Sequence, residues 1–327
     1  MRRQTDIRLY IESIGKDYRI VVREGFECIK FADKIRLGDR VFIKPNLTFP
    51  TFCKGVMTNP EILEALIVYF KDYTDKIAIC ESDSGGYNRF SMDEVFQATG
   101  ILKMAQHYGV RIINMSYEPS RPIQVRCGIR KLSIPMPTFL SDEADLFITV
   151  PVPKVHCNTI VSIAIKNQWG VIQDPSLRLK LHPYFKEVIY QVNKALPKTI
   201  AVIDGKYGLT RSGPLKGDVI DLNWLLISDD IYLADYVCCK LIGMDYRRVP
   251  YLRYIFEKEG TEDLDNVMFN RDYRSFVVEK PFYLKRAWTD YPGMMTFNSR
   301  ILAYIGYHSP LAKPLHWLLY RFRTPFY

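Results

Sequence analysis

A chain of 327 residues, 48% hydrophobic and 25% charged with no low-complexity tract, has the composition of an ordinary globular protein, which excludes a disordered or fibrous one. Its length exceeds the roughly 100–200 residues of a typical domain, so one large domain with appendages, or two domains, is expected. Net charge is +9, but from Lys280 onward seven Lys/Arg face a single acid, Asp290; the excess is local, and no basic stripe within a recognisable module marks a nucleic-acid binder.

The N-terminal residues Met1 to Asp6 are basic and lack the apolar stretch of a secretory signal, so no export is expected. Short β-branched or apolar runs then alternate with longer helical patterns, the signature of βαβ units. Strands are predicted at 40–43, 76–80, 111–114, 146–150, 199–203 and 224–227, and helices at 60–73, 92–108, 183–196 and 231–242. Thr58-Asn59 before Pro60 supplies the caps and first turn of the first helix. Residues 119–137, with four prolines and alternating Ile123 and Val125, read as an inserted β-ribbon turning at Cys127-Gly128.

After Gly243 the periodicity dissolves, placing a boundary near residue 245: an α/β domain over 1–245 and a C-terminal extension over 246–327. From residue 280 the extension holds twelve aromatic residues, from Phe282 to Tyr327, and its apolar segments are broken by Ser309-Pro310 and Pro314. No window reaches the roughly 18 uninterrupted apolar residues of a membrane span. Seven scattered cysteines without CxxC spacing exclude a disulfide framework and a thiolate zinc site. The expected fold is α/β, a mostly parallel sheet with helices on both faces, an inserted β-ribbon and an aromatic, basic C-terminal extension.

In open parallel sheets ligands bind beyond the carboxyl ends of the strands. The residues there form a polar, largely cationic set: Lys44-Pro45-Asn46, Glu81 to Gly86, Pro153-Lys154-Val155-His156, Asp204-Gly205 and Ser228-Asp229-Asp230. The apolar stretch 160–165 ends abruptly in Lys166-Asn167, which presents an ammonium and an amide at a defined position. Lys44, Lys154, His156 and Lys166 suit a carboxylate or phosphate, with Asn46 and Asn167 as neutral partners. A glycine-bearing loop over 205–217 adds Gly213 and Lys216 as anion contacts. It lacks GxxxxGK[ST], and no GxGxxG opens a helix, which argues against nucleotide hydrolysis and classical dinucleotide binding. Asp83, His156, Lys166, Asp204 and Asp230 are the candidate catalytic groups, and Asp83, His156, Asp204 and Asp230 the candidate ligands if a divalent metal is used.

The ordered series Lys44-Pro45-Asn46, Thr58-Asn59-Pro60-Glu61, Asp83-Ser84, Pro153-Lys154 with His156, Lys166-Asn167 with Gly170, Asp204-Gly205, Gly213-Pro214 with Gly217, and Ser228 with Asp230 and Asp235 before Gly243 resembles the family catalogued as domain of unknown function 362, sometimes described as uncharacterised iron–sulfur-centre-associated proteins. The resemblance runs from about Lys44 to Gly243. It implies no assigned activity. Some members join this domain to a ferredoxin-like cluster module; this chain has no such cysteine run, and carries Ile231 and Leu233 where relatives favour proline and alanine, so no iron–sulfur cluster is expected.

The reading that follows is a cytoplasmic enzyme acting on a small anionic substrate. A non-catalytic anion-binding protein is the alternative, and an accessory protein at a membrane surface, contacting it through 280–327, is a third.

Overall fold

The structure is a computed structural model and describes residues 7–15, 17–84, 90–261, 264–265, 267–288, 290–307 and 309–322. Gly85-Gly86 at the end of the expected polar run, Arg323 and the last two aromatics, Phe326 and Tyr327, lie outside them.

Strand β1 (Ile7–Ser13) and helix α1 (Tyr18–Cys28) precede the first element expected from sequence; the Asp17 carboxylate caps α1 by accepting the Arg19 N–H. Strands β2 (Val41–Pro45) and β3 (Ile77–Glu81) are buried at every position, as strands covered on both faces are. Between them α2 (Pro60–Lys71) starts at Asn59, whose side chain accepts the Glu61 N–H, with Pro60 in the first turn. The helical pattern over 92–108 is two helices, α3 (Met92–Ala98) and α4 (Ile101–Tyr108), because Gly100 takes φ +78° between them, a conformation glycine adopts without strain.

After β4 (Arg111–Asn114) the ribbon forms as β5 (Ser120–Cys127) and β6 (Arg130–Pro137), antiparallel and joined by Gly128-Ile129. Val125, Ile134 and Met136 bury its inner face. The chain continues through α5 (Thr138–Asp142), β7 (Leu146–Val150), the short β8 (Lys154–His156) and β9 (Ile160–Ser162), then α6 (Ala164–Asn167), α7 (Pro175–Lys180) and α8 (Phe185–Ala195). A long hairpin, β10 (Thr199–Thr210) and β11 (Asp218–Ser228), leads to α9 (Ile231–Leu241), α10 (Pro250–Glu259) and β12 (Val267–Phe269). Three helices end the described chain: α11 (Asp290–Asn298), α12 (Arg300–Tyr307) and α13 (Ala312–Phe322).

Among the described residues the main sheet has ten strands, ordered β12-β1-β11-β10-β7-β2-β3-β4, with β8 and β9 attached beside β10. The fold is α/β with a mostly parallel sheet. Along that path β11 alone runs against its neighbours, antiparallel to both β10 and β1. The sequence-based expectation of a parallel strand at 224–227 is thereby corrected. The connection 211–217 is far shorter than the dozen or more residues a parallel crossover needs, so the chain must turn straight back. Residues 205–210, expected as loop, are the end of β10.

One face of the sheet packs on α1 to α4, the other on the ribbon, α6, α8, α9 and α10. Beyond residue 245 the chain stays attached: α10 buries Tyr251, Leu252, Ile255 and Phe256 in the second core, and Phe282 lies over Gly208, where a Cβ would come within 2.7 Å of its ring. Among the described residues no helix is long and apolar enough to cross a membrane.

Candidate functional site

The carboxyl ends of β2, β3 and β7, with β8 and α6, bring together Lys44, Asn46, Lys154, His156, Lys166 and Asn167. Phe42 faces the second core and, by the two-residue period of a strand, Lys44 follows it to that side. There its ammonium donates to Glu81 Oε2 at 2.7 Å, with side chains only 1% and 5% exposed. Lys44 also reaches Asn167 Oδ1 at 3.5 Å, and Asn167 Nδ2 donates to Thr149 Oγ1 at 2.9 Å. Asn46 continues the chain of contacts. Its Nδ2 donates to Asn167 Oδ1 at 3.2 Å, and its Oδ1 accepts from Lys154 Nζ at 2.5 Å, while Lys154 also donates to the Val56 carbonyl at 2.6 Å. Gly170 closes against this network: a Cβ there would lie 2.9 Å from Glu81 Oε1 and 3.0 Å from Lys44 Nζ.

Helix α6, which carries Lys166 and Asn167, is a single turn and needs an outside anchor. Asp235 of α9 supplies it, accepting the N–H groups of Ala164 at 2.8 Å and Ile165 at 3.0 Å. Burial raises the Asp235 carboxyl from the ordinary range to about 8. Lys166 then projects over the Phe185 ring, 5.7 Å from its centroid. Burial, reinforced by the Arg178 charge, lowers its ammonium to about 8. Lys154 is lowered to about 7 by burial and by the Lys166 charge. Among the described residues Lys166 has no hydrogen-bond or ion-pair partner.

Around Lys166 the groups are cationic or neutral donors. The guanidinium of Arg178, on α7, donates to the Asp83 carbonyl, and its buried Nε has no partner among the described residues. His156 Nδ1 accepts the Asn158 N–H at 3.1 Å. Burial and the Lys166 charge push its pKa well down, so the ring is neutral and its proton sits on Nε2. His182, lowered to about 3 by burial and by Lys166, pairs through Nδ1 with the Asn158 amide at 3.0 Å and stacks against Phe297 of α11. Arg286 donates to the Cys157 carbonyl at 2.8 Å. The fully buried Gln168 amide, next in chain to Asn167, leaves both its polar atoms unpartnered among the described residues.

Other expected members stand apart. Asp83 sits at the rim, its carboxylate accepting from Met92 N–H at 2.7 Å and Asn114 Nδ2 at 3.0 Å, so it ties the loop after β3 to α3. Asp204 shares the strand face of Ile200 and Val202, opposite Ala201 and Ile203. It is held by Tyr18 OH at 2.8 Å and the Asn59 N–H at 2.9 Å, an anchor for α1 and α2 on the other side of the sheet. Asp230 lies at the opposite end of the sheet, because β11 runs antiparallel, and caps α9 through the Tyr232 and Leu233 N–H groups. Gly213 supports β8: a Cβ there would meet the Val155 carbonyl oxygen at 1.9 Å. Lys216 is exposed in the hairpin tip. Asp83, His156, Asp204 and Asp230 therefore cannot share a metal, and among the described residues no three His, Cys, Asp or Glu side chains are grouped to hold one.

Sequence reasoning passed over Arg178, His182, Thr149 and the pairing of Glu81, and held Asp235 only as a member of the family series, without a role. Glu81 carried a signal, an acid ending a strand beside one that ends in lysine. Arg178 and His182 follow a segment with no periodicity, and their place is set by how α7 folds back. A separate cavity of about 550 Å³ lies between β6, α7 and α12, lined by Ile134, Leu177, Lys180, Leu181 and Ile301 among others.

Residues 41–240 match the family described as Domain of unknown function (DUF362). A thylakoid-associated protein of Synechocystis sp. is 23% identical over 224 residues, covering 66% of this chain and 67% of that protein. Among solved structures, a Thermotoga maritima protein aligns at TM-score 0.42 with 13% identity, over 68% of this chain and 58% of that one. The lactate racemase apoprotein of Thermoanaerobacterium thermosaccharolyticum aligns at TM-score 0.41 with 14% identity, over 72% and 57%. The chain thus spans less than three fifths of either solved chain.

Proposed function

The chain belongs to the domain of unknown function 362 family, whose description carries no reaction, and we propose from the chemistry of the cleft that it binds and transforms a small carboxylate or phosphate. One observation carries the proposal: Lys166, an ammonium in buried surroundings with no hydrogen-bond or ion-pair partner among the described residues, has the cations Arg178 and Lys44 and the Cys157 thiol as its charged or titratable neighbours, and the Glu81 carboxylate is already spent on Lys44. An anion supplies the missing countercharge. Arg178 Nε and His156 Nε2–H add donors of the right kind. A lysine brought near neutrality also exchanges its proton readily, which fits Lys166 for acid–base work beside the bound anion.

Binding without turnover is the second reading, and it is favoured by the orientation of His156, whose lone pair is spent on a backbone N–H so that the ring offers a donor rather than a base. Titration calorimetry with sulfate tests the site. Saturable binding is expected, weakened at least about tenfold in Lys166→Met; equal affinity in the two proteins would refute the assignment. Lys166→Arg keeps the charge but not the exchangeable proton, so loss of turnover with retained binding would separate enzyme from binder. The thylakoid-associated description of the relative, taken with the aromatic, basic extension, supports a peripheral position at a membrane surface.

A further inference from the structure

The described residues expose nineteen large hydrophobic side chains, and eleven of them fall between Trp288 and Leu318. Elsewhere such residues stand singly, which is normal for a protein surface. Here they recur through 288–318: Trp288 is 81% exposed, Ile301 72%, Trp317 61%, Leu311 58% and Leu318 49%. A concentration of this kind marks a contact surface.

The extension is also held from behind. Phe282 and Ala303 are buried, Phe297 stacks on His182, and Lys180 lies over the Tyr304 ring. The inner side is thus committed to the α/β body while the outer side faces solvent. The three helices have nine, eight and eleven residues, so each is suited to lying flat and too short for the roughly 20 residues of a span.

Charge selects the occupant. From residue 280 the sequence carries seven Lys/Arg and one acid, Asp290; among the described side chains Lys280, Lys285 and Lys313 are exposed within or just before 288–318, Arg286 is turned to the Cys157 carbonyl, and the Asp290 carboxylate accepts the Ala287 N–H at 2.8 Å. A second copy of this surface would set like charges against each other, whereas a negatively charged bilayer is attracted by about 1 kcal/mol for each cation near it and accepts the aromatic and aliphatic side chains at its interface. We propose that the outer surface of 288–318 docks on an anionic lipid bilayer. This rests on the peripheral reading above and names the surface and the lipid charge responsible.

The test is flotation of the full chain with phosphatidylcholine vesicles, with and without phosphatidylglycerol, at low salt and again at about 0.5 M salt. The wild type should float with the anionic vesicles alone and lose at least about fivefold in bound fraction at high salt. Leu311→Glu with Leu318→Glu, two exposed positions outside both the cleft and the cavity, should lose flotation to a similar degree while keeping the wild-type melting curve and sulfate affinity. Flotation of this variant at the wild-type level would overturn the assigned surface and leave the peripheral reading standing. Absence of wild-type flotation on either vesicle would overturn both. Equal flotation on neutral and anionic vesicles would overturn the role of charge. A wild-type dimer dissociated by the double substitution, without flotation, would make the surface a self-interface instead.

Discussion

Lys166 makes the cleft's affinity for anions depend on pH in a range where an ordinary lysine would be silent. Its ammonium is lowered from 10.5 to about 8 by burial and the nearby Arg178 charge. If the bound anion requires the protonated form, the free protein is about 90% competent at about pH 7 and about 10% at about pH 9, so affinity falls about tenfold, or about 1.4 kcal/mol. Stability of the ligand-free protein moves the other way. Between about 8 and 10.5 the unfolded chain holds the Lys166 proton more tightly than the folded one, so this group's contribution to stability rises with pH across that window and is lost as pH falls through about 8. Sulfate is the suitable probe because its own charge is constant near neutrality. Calorimetric titrations across the range should show the tenfold loss in the wild type and a clearly shallower profile in Lys166→Arg, where Lys154, lowered to about 7, is the cleft ammonium that still titrates. A flat wild-type profile, or an unchanged slope in Lys166→Arg, would refute the reasoning.

Two further outcomes follow from the groups that hold the cleft. Lys44→Met strands the Glu81 carboxylate at 5% side-chain exposure and should cost about 3–5 kcal/mol in urea unfolding, much of it recovered by adding Glu81→Leu, because an unpaired buried charge is worse than none. Asp235→Ala leaves the Ala164 and Ile165 N–H groups without acceptors and should cost about 2–3 kcal/mol. Because the Asp235 carboxyl is raised from 3.8 to about 8, the folded protein binds its proton more tightly between those values; wild-type stability should decline with rising pH there, and the variant should lack that component, as urea midpoints against pH will show.

The parts of the fold that were legible in sequence are those where a local pattern has one solution. The run at 146–150 and the capped helix after Asn59 required no knowledge of their neighbours. The direction of β11 was hidden because hydrophobic pattern is the same for a strand read either way; the clue was the length of 211–217, masked by glycines that suggested a longer loop. Site residues behaved alike. Those at or just past the end of β2, and those ending α6, came together, since the parallel arrangement leaves them no other place. Asp204 was misplaced by a single step of the strand's two-residue period, which puts it on the far face with Ile200 and Val202. Arg178 reaches the cleft through tertiary packing, to which spacing along the chain is blind, and the same packing hid the contact of Asp235 with α6, although the residue itself stood in the family series.

The polar chain from Glu81 through Lys44, Asn167 and Asn46 to Lys154 changes how this end of the sheet moves. Strand termini are ordinarily where a sheet frays, opening locally at far less cost than the whole fold. Here the termini of β2 and β3, the start of β8 and the end of α6 are laced by buried side chains, so none of them opens without exposing a charge or an amide that the others had satisfied. Fraying is thereby joined to global unfolding, and amide hydrogens at this rim should exchange with solvent nearly as slowly as those at the middle of the strands. A ligand entering such a cleft finds its floor already ordered, and little of its binding energy is consumed in arranging it.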